Sequence, residues 1–270
     1  MEIDGARVDA LAEGMPSQPT LKLTILPPVR NEGLNLKIML KVLPAVVEVP
    51  YEVLVVYDFP EDDSVPVVHA MQANFPNLFG VHNTLGKGVI NALRAGVKAS
   101  RGEYVLIFAA DEVAPVLAIE PMLALMDSGC DFVSCTRYAN GGRRLGGSLI
   151  GGILSRMANL LFHRVAGSAL TDCTTGVKMF RRPIFDMLNL EANPVGWAVA
   201  FEMAIKAELA GLRLGEVPVI SIDRLYGGTS TCQIVPWIRE YSRWFVWGMR
   251  RLHCSGQESR GRIVVRAVGR

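Results

Sequence analysis

The sequence predicts an α/β chain, with a mostly parallel central sheet and helices on both of its faces. Three observations point there. Apolar runs of strand length alternate with stretches of helix length through about residue 135. Two of the runs, Tyr51–Tyr57 (YEVLVVY) and residues 103–110 (EYVLIFAA), are almost continuously apolar, as strands buried on both faces must be. The 270 residues are 50% hydrophobic and only 20% charged, which is ample for a sizeable core and too apolar for a disordered chain.

The elements follow in order. Residues 21–26 (LKLTIL) alternate and then turn apolar, which predicts a first strand; residues 31–47 predict a helix interrupted by Pro44. Tyr51–Tyr57 is the second strand, residues 58–64 (DFPEDDS) an acidic loop, and residues 65–74 a helix. Leu78–His82 predicts a short strand, and residues 88–99 place Ala92, Leu93, Gly96 and Val97 on one helical face. Residues 103–110 are the strongest strand, followed by a helix over 115–128 that opens near Pro115, and a strand over 131–135. The second half reads as a Gly-rich loop (140–152), a helix near 154–165, a polar turn (171–176), a strand (177–180), a helix (197–210), a strand (214–220) and a loop (223–230). The Trp/Arg-rich segment 236–251 closes the ordered part. The expected units are an N-terminal extension (1–20), a main domain (21–233) with halves at 21–135 and 136–233, and a basic aromatic helix and tail (234–270).

Charge and cysteine usage exclude several classes. The net charge of +2 does not suggest a nucleic-acid partner. It is unevenly spread: residues 234–270 carry +6 and the rest about −4. The five cysteines form no C-x-x-C, and the four histidines lie far apart, which argues against disulfides and structural zinc. No secretory signal and no apolar run of roughly 18–20 residues is present. The chain reads as cytoplasmic, with an anionic membrane surface kept open as a peripheral partner of the arginines and tryptophans of 236–251.

In parallel α/β sheets ligands bind beyond the carboxyl ends of the strands, so the loops 27–33, 58–64, 83–88 and 111–115 carry the candidates. Pro28-Val29-Arg30-Asn31-Glu32 is a polar turn that opens a helix, either an anion cradle or an ordinary turn capped by Asn31. Asp58, Glu61, Asp62 and Asp63 repel one another unless they are solvated, metal-bound or hydrogen-bonded; on charge alone a solvated loop is the better account. Asp111 and Glu112 end the strongest strand, where a carboxylate either holds Mg2+ or Mn2+ on a diphosphate or complements a helix start. Gly86-Lys87-Gly88 lacks the spacing of an ATPase phosphate loop, and no G-x-G-x-x-G follows the first strand.

In order and spacing these segments resemble glycosyltransferase family 2, and within it the polyprenyl-phosphate (dolichol-phosphate) mannosyltransferase-like enzymes, over residues 22–248. Pro28–Glu32 sits at the family's P-x-x-N-E, Val55-Val56-Tyr57-Asp58 at V-V-D-D, Leu85-Gly86-Lys87-Gly88 at L-G-x-G, and Ala109-Ala110-Asp111 at the metal-binding D-x-D. Thr136-Arg137-Tyr138 with Gly141-Gly142 matches S-R-Y…G-G. Asp172, Thr175, Gly176 and Lys178 match D-x-T-[SN]-G/S-F-[KR]. Glu216-Val217-Pro218 and Asp223-Arg224…Gly227 match E-V-P…D-R…G.

The resemblance implies a GT-A fold and transfer of a sugar, with inversion, from a GDP- or UDP-linked donor to polyprenyl phosphate or a small molecule. It implies donor contacts from Pro28, Arg30, Glu32, Asp58, Lys87 and Ala110, with Asp58 accepting from the base. Asp111 and Glu112 become metal ligands and Arg137 and Arg156 acceptor ligands. Asp111, Arg224 on the diphosphate and Glu202 toward the acceptor become the catalytic set. The sequence departs from the pattern at Ala109, at Ser230 where a cation is usual, and at Gly151 and Gly152. Those departures motivate the alternative of a degenerate GT-A domain that binds or scaffolds without turnover; a nucleotidyltransferase is a more distant third.

Overall fold

The computed structural model describes residues 21–112, 114–146, 149–222, 234–254 and 263–265. Its core is a nine-stranded sheet. Strand β1 (Leu23–Leu26) is continued past Pro27 by β2 (Pro28–Val29), and both run parallel to β3 (Tyr51–Tyr57). On its other side β3 pairs with β4 (Leu78–His82), and β1 pairs with β5 (Tyr104–Ile107). Beyond β5 comes β8 (Lys178–Arg181), antiparallel to β5 and to β6 (Phe132–Thr136). The sheet ends with β9 (Leu214–Pro218) and β11 (Ile263–Val265), both in the majority direction. A small second sheet pairs β7 (Arg143–Leu145) with β10 (Ile220–Ile222).

Leu23, Ile25, Val53, Val55, Val105 and Ile107 are all buried, because helices cover both sheet faces. One core cluster joins β1, β3 and β5 to α1 (Gly33–Val42) and α4 (Ile119–Asp127). The other joins the opposite faces to α3 (Val89–Ala99), α7 (Ala198–Leu209) and α8 (Ile234–Cys254). The remaining α-helices among the described residues are α2 (Ser64–Gln72), α5 (Leu149–Val165) and the single turn α6 (Ile184–Met187).

Six strand ends (β2, β3, β4, β5, β6 and β9) therefore open on one edge, which brings together the loops singled out above. Three expectations need correction. The Gly-rich segment 140–152 is not all loop, since β7 and the first turn of α5 lie in it. The strand expected over 214–220 breaks after Pro218 and feeds two sheets. The ordered part does not close with the Trp/Arg-rich helix, because β11 returns to pair with β9 (Ile263 opposite Leu214).

Candidate active site

On the first half of the edge, two loops satisfy each other. The backbone N–H groups of Asn31, Glu32 and Gly33 start α1 and have no partner within the helix. They donate to Asp62 Oδ2 (3.0 Å), Ser64 Oγ (3.1 Å) and Asp63 Oδ1 (2.8 Å). The acidic loop is thus not simply solvated: Asp62 is fully buried and caps a helix in trans. The same bonds occupy the N–H groups that an anion cradle would need, so the 28–32 turn offers a ligand its side chains and the half-buried edge of Pro28. Arg30 is exposed and Glu32 half-buried.

Asp58 has a different task. Its Oδ1 accepts Asn83 Nδ2 (2.7 Å) and its Oδ2 accepts Gly88 N–H (3.0 Å). The Asn83 amide also donates to Gly86 O (2.7 Å), and Asn83 Oδ1 accepts Leu85 N–H (3.0 Å). Asp58 and Asn83 together shape the 83–88 loop and leave Lys87 exposed at its tip. Gly88 has φ +108, and a Cβ there would lie 2.6 Å from Pro194 Cβ, so only glycine fits. Asn83 escaped the sequence reading; its sole signal was its position just past a strand. Ala110 is buried in the core, so its side chain offers nothing to a ligand.

Beside the end of β5 lies a cavity of about 730 Å3. Ala109, Glu112, Arg137, Arg144 and Thr174 are among the residues that line it. Leu154, Met157 and Leu161 of α5, Phe201 of α7, and Trp237, Ile238 and Phe245 of α8 give it much of its apolar lining. Gly176 lets Trp197 pack into the wall, for a Cβ at 176 would sit 2.9 Å from the indole.

Arg137 is clamped. Its Nε donates to Asp172 Oδ2 (2.7 Å) and its Nη2 to Asp172 Oδ1 and Thr174 Oγ1 (both 3.0 Å). Its Nη1 has no acceptor among the described residues. Burial alone would raise the Asp172 carboxyl, but Arg137 and the buried Lys178 hold it below the usual carboxylate range. Burial pushes the Lys178 ammonium down; it donates to Ser134 Oγ (2.7 Å) and Cys173 O (3.3 Å).

The structure does not bring every candidate to the cavity. Glu202 is fully buried and faces away. It accepts the N–H groups of Glu191 (2.6 Å) and Ala192 (2.7 Å) and pairs with Lys206 (2.7 Å), so it anchors the 189–197 loop instead of reaching an acceptor. Arg156 is exposed on α5 and does not line the cavity; Arg144 does. Arg224, Asp223 and Ser230 lie outside the described residues. Asp111 and Glu112 are both half-buried, and Glu112 Oε1 accepts the Ser221 hydroxyl (3.3 Å). Among the described residues no group of three or more His, Cys, Asp or Glu gathers to hold a metal. Two adjacent carboxylates still meet the smallest donor set for Mg2+, which takes one or two carboxylates with substrate phosphates.

The family model described as glycosyl transferase family 2 matches residues 24–188, which include every strand end just described up to β8. The chain belongs to glycosyl transferase family 2. Curated relatives include the undecaprenyl-phosphate 4-deoxy-4-formamido-L-arabinose transferases of Klebsiella pneumoniae and Salmonella paratyphi A, each 27% identical over 214 residues. The alignment covers 77% of this chain and 62% of each relative, so the chain spans less than two thirds of their length. Among solved structures, glucosyl-3-phosphoglycerate synthase from Mycobacterium tuberculosis, in complex with Mn2+, UDP and glucosyl-3-phosphoglycerate, superposes with a TM-score of 0.62 at 15% identity. That match covers 88% of this chain and 82% of the synthase. S. aureus TarS 1-349 gives 0.56 at 17% identity, over 84% of this chain and 65% of that one. Both likenesses establish the GT-A fold.

Proposed function

We propose that this chain moves a sugar from a UDP- or GDP-linked donor to the phosphate of a polyprenyl phosphate, with inversion at the anomeric carbon. The observation that carries the reading is the cavity. Its two arginines suit a phosphate, and its largely apolar lining suits an isoprenoid chain. A small polar acceptor would leave those apolar walls uncovered. The undecaprenyl-phosphate activity named for the curated relatives supports the same acceptor class.

In this account an acceptor phosphate oxygen attacks the anomeric carbon. The bond from that carbon to the donor diphosphate breaks, and the nucleoside diphosphate leaves with the electron pair. A phosphate monoester carries about −1.5 to −2 charge at neutral pH, so no proton need be removed. A general base is then superfluous, in keeping with a Glu202 carboxylate saturated away from the cavity. Arg137 and Arg144 would hold the acceptor phosphate, Lys87 and the Asp58-shaped loop the nucleotide, and Arg224 the diphosphate. Asp111 and Glu112 would hold Mg2+ or Mn2+; when bound, the ion neutralises charge on the leaving diphosphate. The Mn2+ and UDP of the M. tuberculosis synthase complex support this assignment.

An amphiphilic acceptor places the chain at a membrane surface. Ile153, Leu154, Met157, Leu160, Leu161 and Val165 make an exposed apolar row on α5, near the exposed Arg156 and Arg164. Trp244 is buried, and Phe245 and Trp247 pack on the core, so most aromatics of α8 face inward; Trp237, Val235 and Ile238 stay exposed near its start. No described helix is long and apolar enough to cross a membrane. Peripheral contact through α5 and the start of α8 is the proposed mode.

Ala109, which leaves only two carboxylates at the metal position, favours the second reading of a binding domain without turnover. Thermal stabilisation across UDP- and GDP-sugars, with Mn2+ and with EDTA, separates the two when followed by product analysis. A metal-dependent shift with one donor and release of its nucleoside diphosphate supports transfer. A shift without release supports the binding domain, and no shift with any donor counts against both.

A further inference from the structure

The clamp on Arg137 is itself held by a carboxylate that no motif assigns to the reaction. Glu216, on β9, is fully buried. Its Oε1 accepts the backbone N–H groups of Thr171 (2.9 Å) and Asp172 (3.2 Å), and its Oε2 accepts the Thr171 hydroxyl (2.7 Å). Thr171 Oγ1 lies 2.7 Å from Thr136 Oγ1, which in turn accepts Tyr138 N–H (3.2 Å). A carboxylate that only accepts fixes the direction of the whole chain. Thr171 donates to Glu216, Thr136 donates to Thr171, and Tyr138 N–H donates to Thr136.

Arg137 sits between Thr136 and Tyr138, and Asp172 follows Thr171. One carboxylate therefore grips the flanks of both partners in the Arg137–Asp172 pair. That pair spends Nε and Nη2 and leaves Nη1 without an acceptor among the described residues, on a side chain that lines the cavity. Burial raises the Glu216 carboxyl, and the three donors from Thr171 and Asp172 oppose that rise; Lys178, lowered by burial, sits beside Ser134 and Cys173. A buried hydrogen-bonded network of this kind is expensive to rearrange, so the guanidinium has one orientation.

We propose that Glu216 is a positioning residue for the acceptor phosphate, acting through Thr171, Thr136 and Asp172 to hold Arg137 Nη1 toward the cavity. The proposal rests on the reading that Arg137 meets that phosphate. Glu216→Gln is the sharpest probe. Its oxygen can still take both backbone N–H groups, but its amide would donate to Thr171 and reverse the chain. Thr136→Val cuts the chain without touching any charge and serves if Glu216→Gln does not fold.

The experiment titrates farnesyl phosphate, a short soluble acceptor, into wild type, Glu216→Gln, Thr136→Val, Arg137→Ala and the double variant Glu216→Gln/Arg137→Ala, with UDP and GDP binding as the control. Hydrogen bonds to charged groups are worth on the order of ten- to hundredfold in an equilibrium. Glu216→Gln should weaken farnesyl phosphate about tenfold with nucleotide binding unchanged, and Thr136→Val should weaken it in the same direction. The double variant should bind no worse than Arg137→Ala alone, which a merely structural role for Glu216 would not produce. Wild-type affinity in Glu216→Gln and Thr136→Val, or additive losses in the double variant, overturns the proposal while leaving the functional reading intact. Failure of the wild type to bind farnesyl phosphate overturns both.

Discussion

Arg137 and Asp172 show how much a single pair decides. Asp172 has no exposed surface, and its two oxygens take the Arg137 Nε, Nη2 and backbone N–H. Asp172→Asn should cost about 3–5 kcal/mol, because it leaves a nearly buried guanidinium without its counter-charge; chemical denaturation measures it. The pH dependence follows from the depressed carboxyl. A group whose folded-state pKa lies below its ordinary 3.8 contributes stability that is complete above that value and is lost as pH falls through the folded one. The wild-type melting temperature should therefore fall on acidification below about pH 4, and the Asp172→Asn curve should be flatter there. Arg137→Lys keeps the charge but loses the planar fork. It should raise the acceptor KM about tenfold or more and leave donor binding alone, as steady-state kinetics with each substrate varied would show. Residue types and order were legible in the sequence: Arg137, Asp172 and Asp58 all lie at the strand-end edge. Partners were not. Nothing in DFPEDDS says that Asp62 is buried against Asn31 N–H, and nothing near Glu202 says that its oxygens already hold two backbone groups. A carboxylate's role depends on donors dozens of residues away, and spacing does not encode them.

The 83–88 loop is shaped from β3 by Asp58 and from β4 by Asn83, then covered by Pro194. Gly88→Ala combines a left-handed backbone with a close contact, so it should cost about 1–3 kcal/mol and weaken nucleotide binding in parallel; melting and nucleotide titration of the same preparation would reveal the link. The 189–197 loop that supplies Pro194 hangs on Glu202 and on Glu240, which accepts Asn193 N–H (2.9 Å) and Asn193 Nδ2 (2.7 Å). Glu202→Ala should accordingly act as a stability variant, with a lowered melting temperature and kcat retained in the folded fraction. A collapsed kcat at an unchanged melting temperature would return Glu202 to the chemistry. Long buried strands such as Tyr51–Tyr57 were legible because continuous apolar runs have few other homes. β2, β7, β10 and β11 were not, since two or three residues specify no period and exist as strands only through their neighbours.

The whole molecule is polarised. Strand ends, the 83–88 loop and Arg137 share one edge of the sheet, and α5 and α8 supply most of the apolar lining of the cavity. Leu154, Met157 and Leu161 both line the cavity and stand exposed, so the cavity borders the face proposed to meet lipid. Liposomes containing anionic lipid should sediment the chain at low salt, and Leu154→Glu with Leu161→Glu should release it; a wild type that stays in the supernatant would remove the membrane from the account. The acceptor defines the proposed activity. The direct measurement is to incubate the chain with UDP- and GDP-sugars, Mn2+ and farnesyl or undecaprenyl phosphate, and to look by mass spectrometry for the glycosylated lipid phosphate. The account predicts that product from one donor, with stoichiometric nucleoside diphosphate, and its loss in Arg137→Ala. Nucleoside diphosphate released with a sugar on a soluble acceptor, and none on the lipid phosphate, would contradict it.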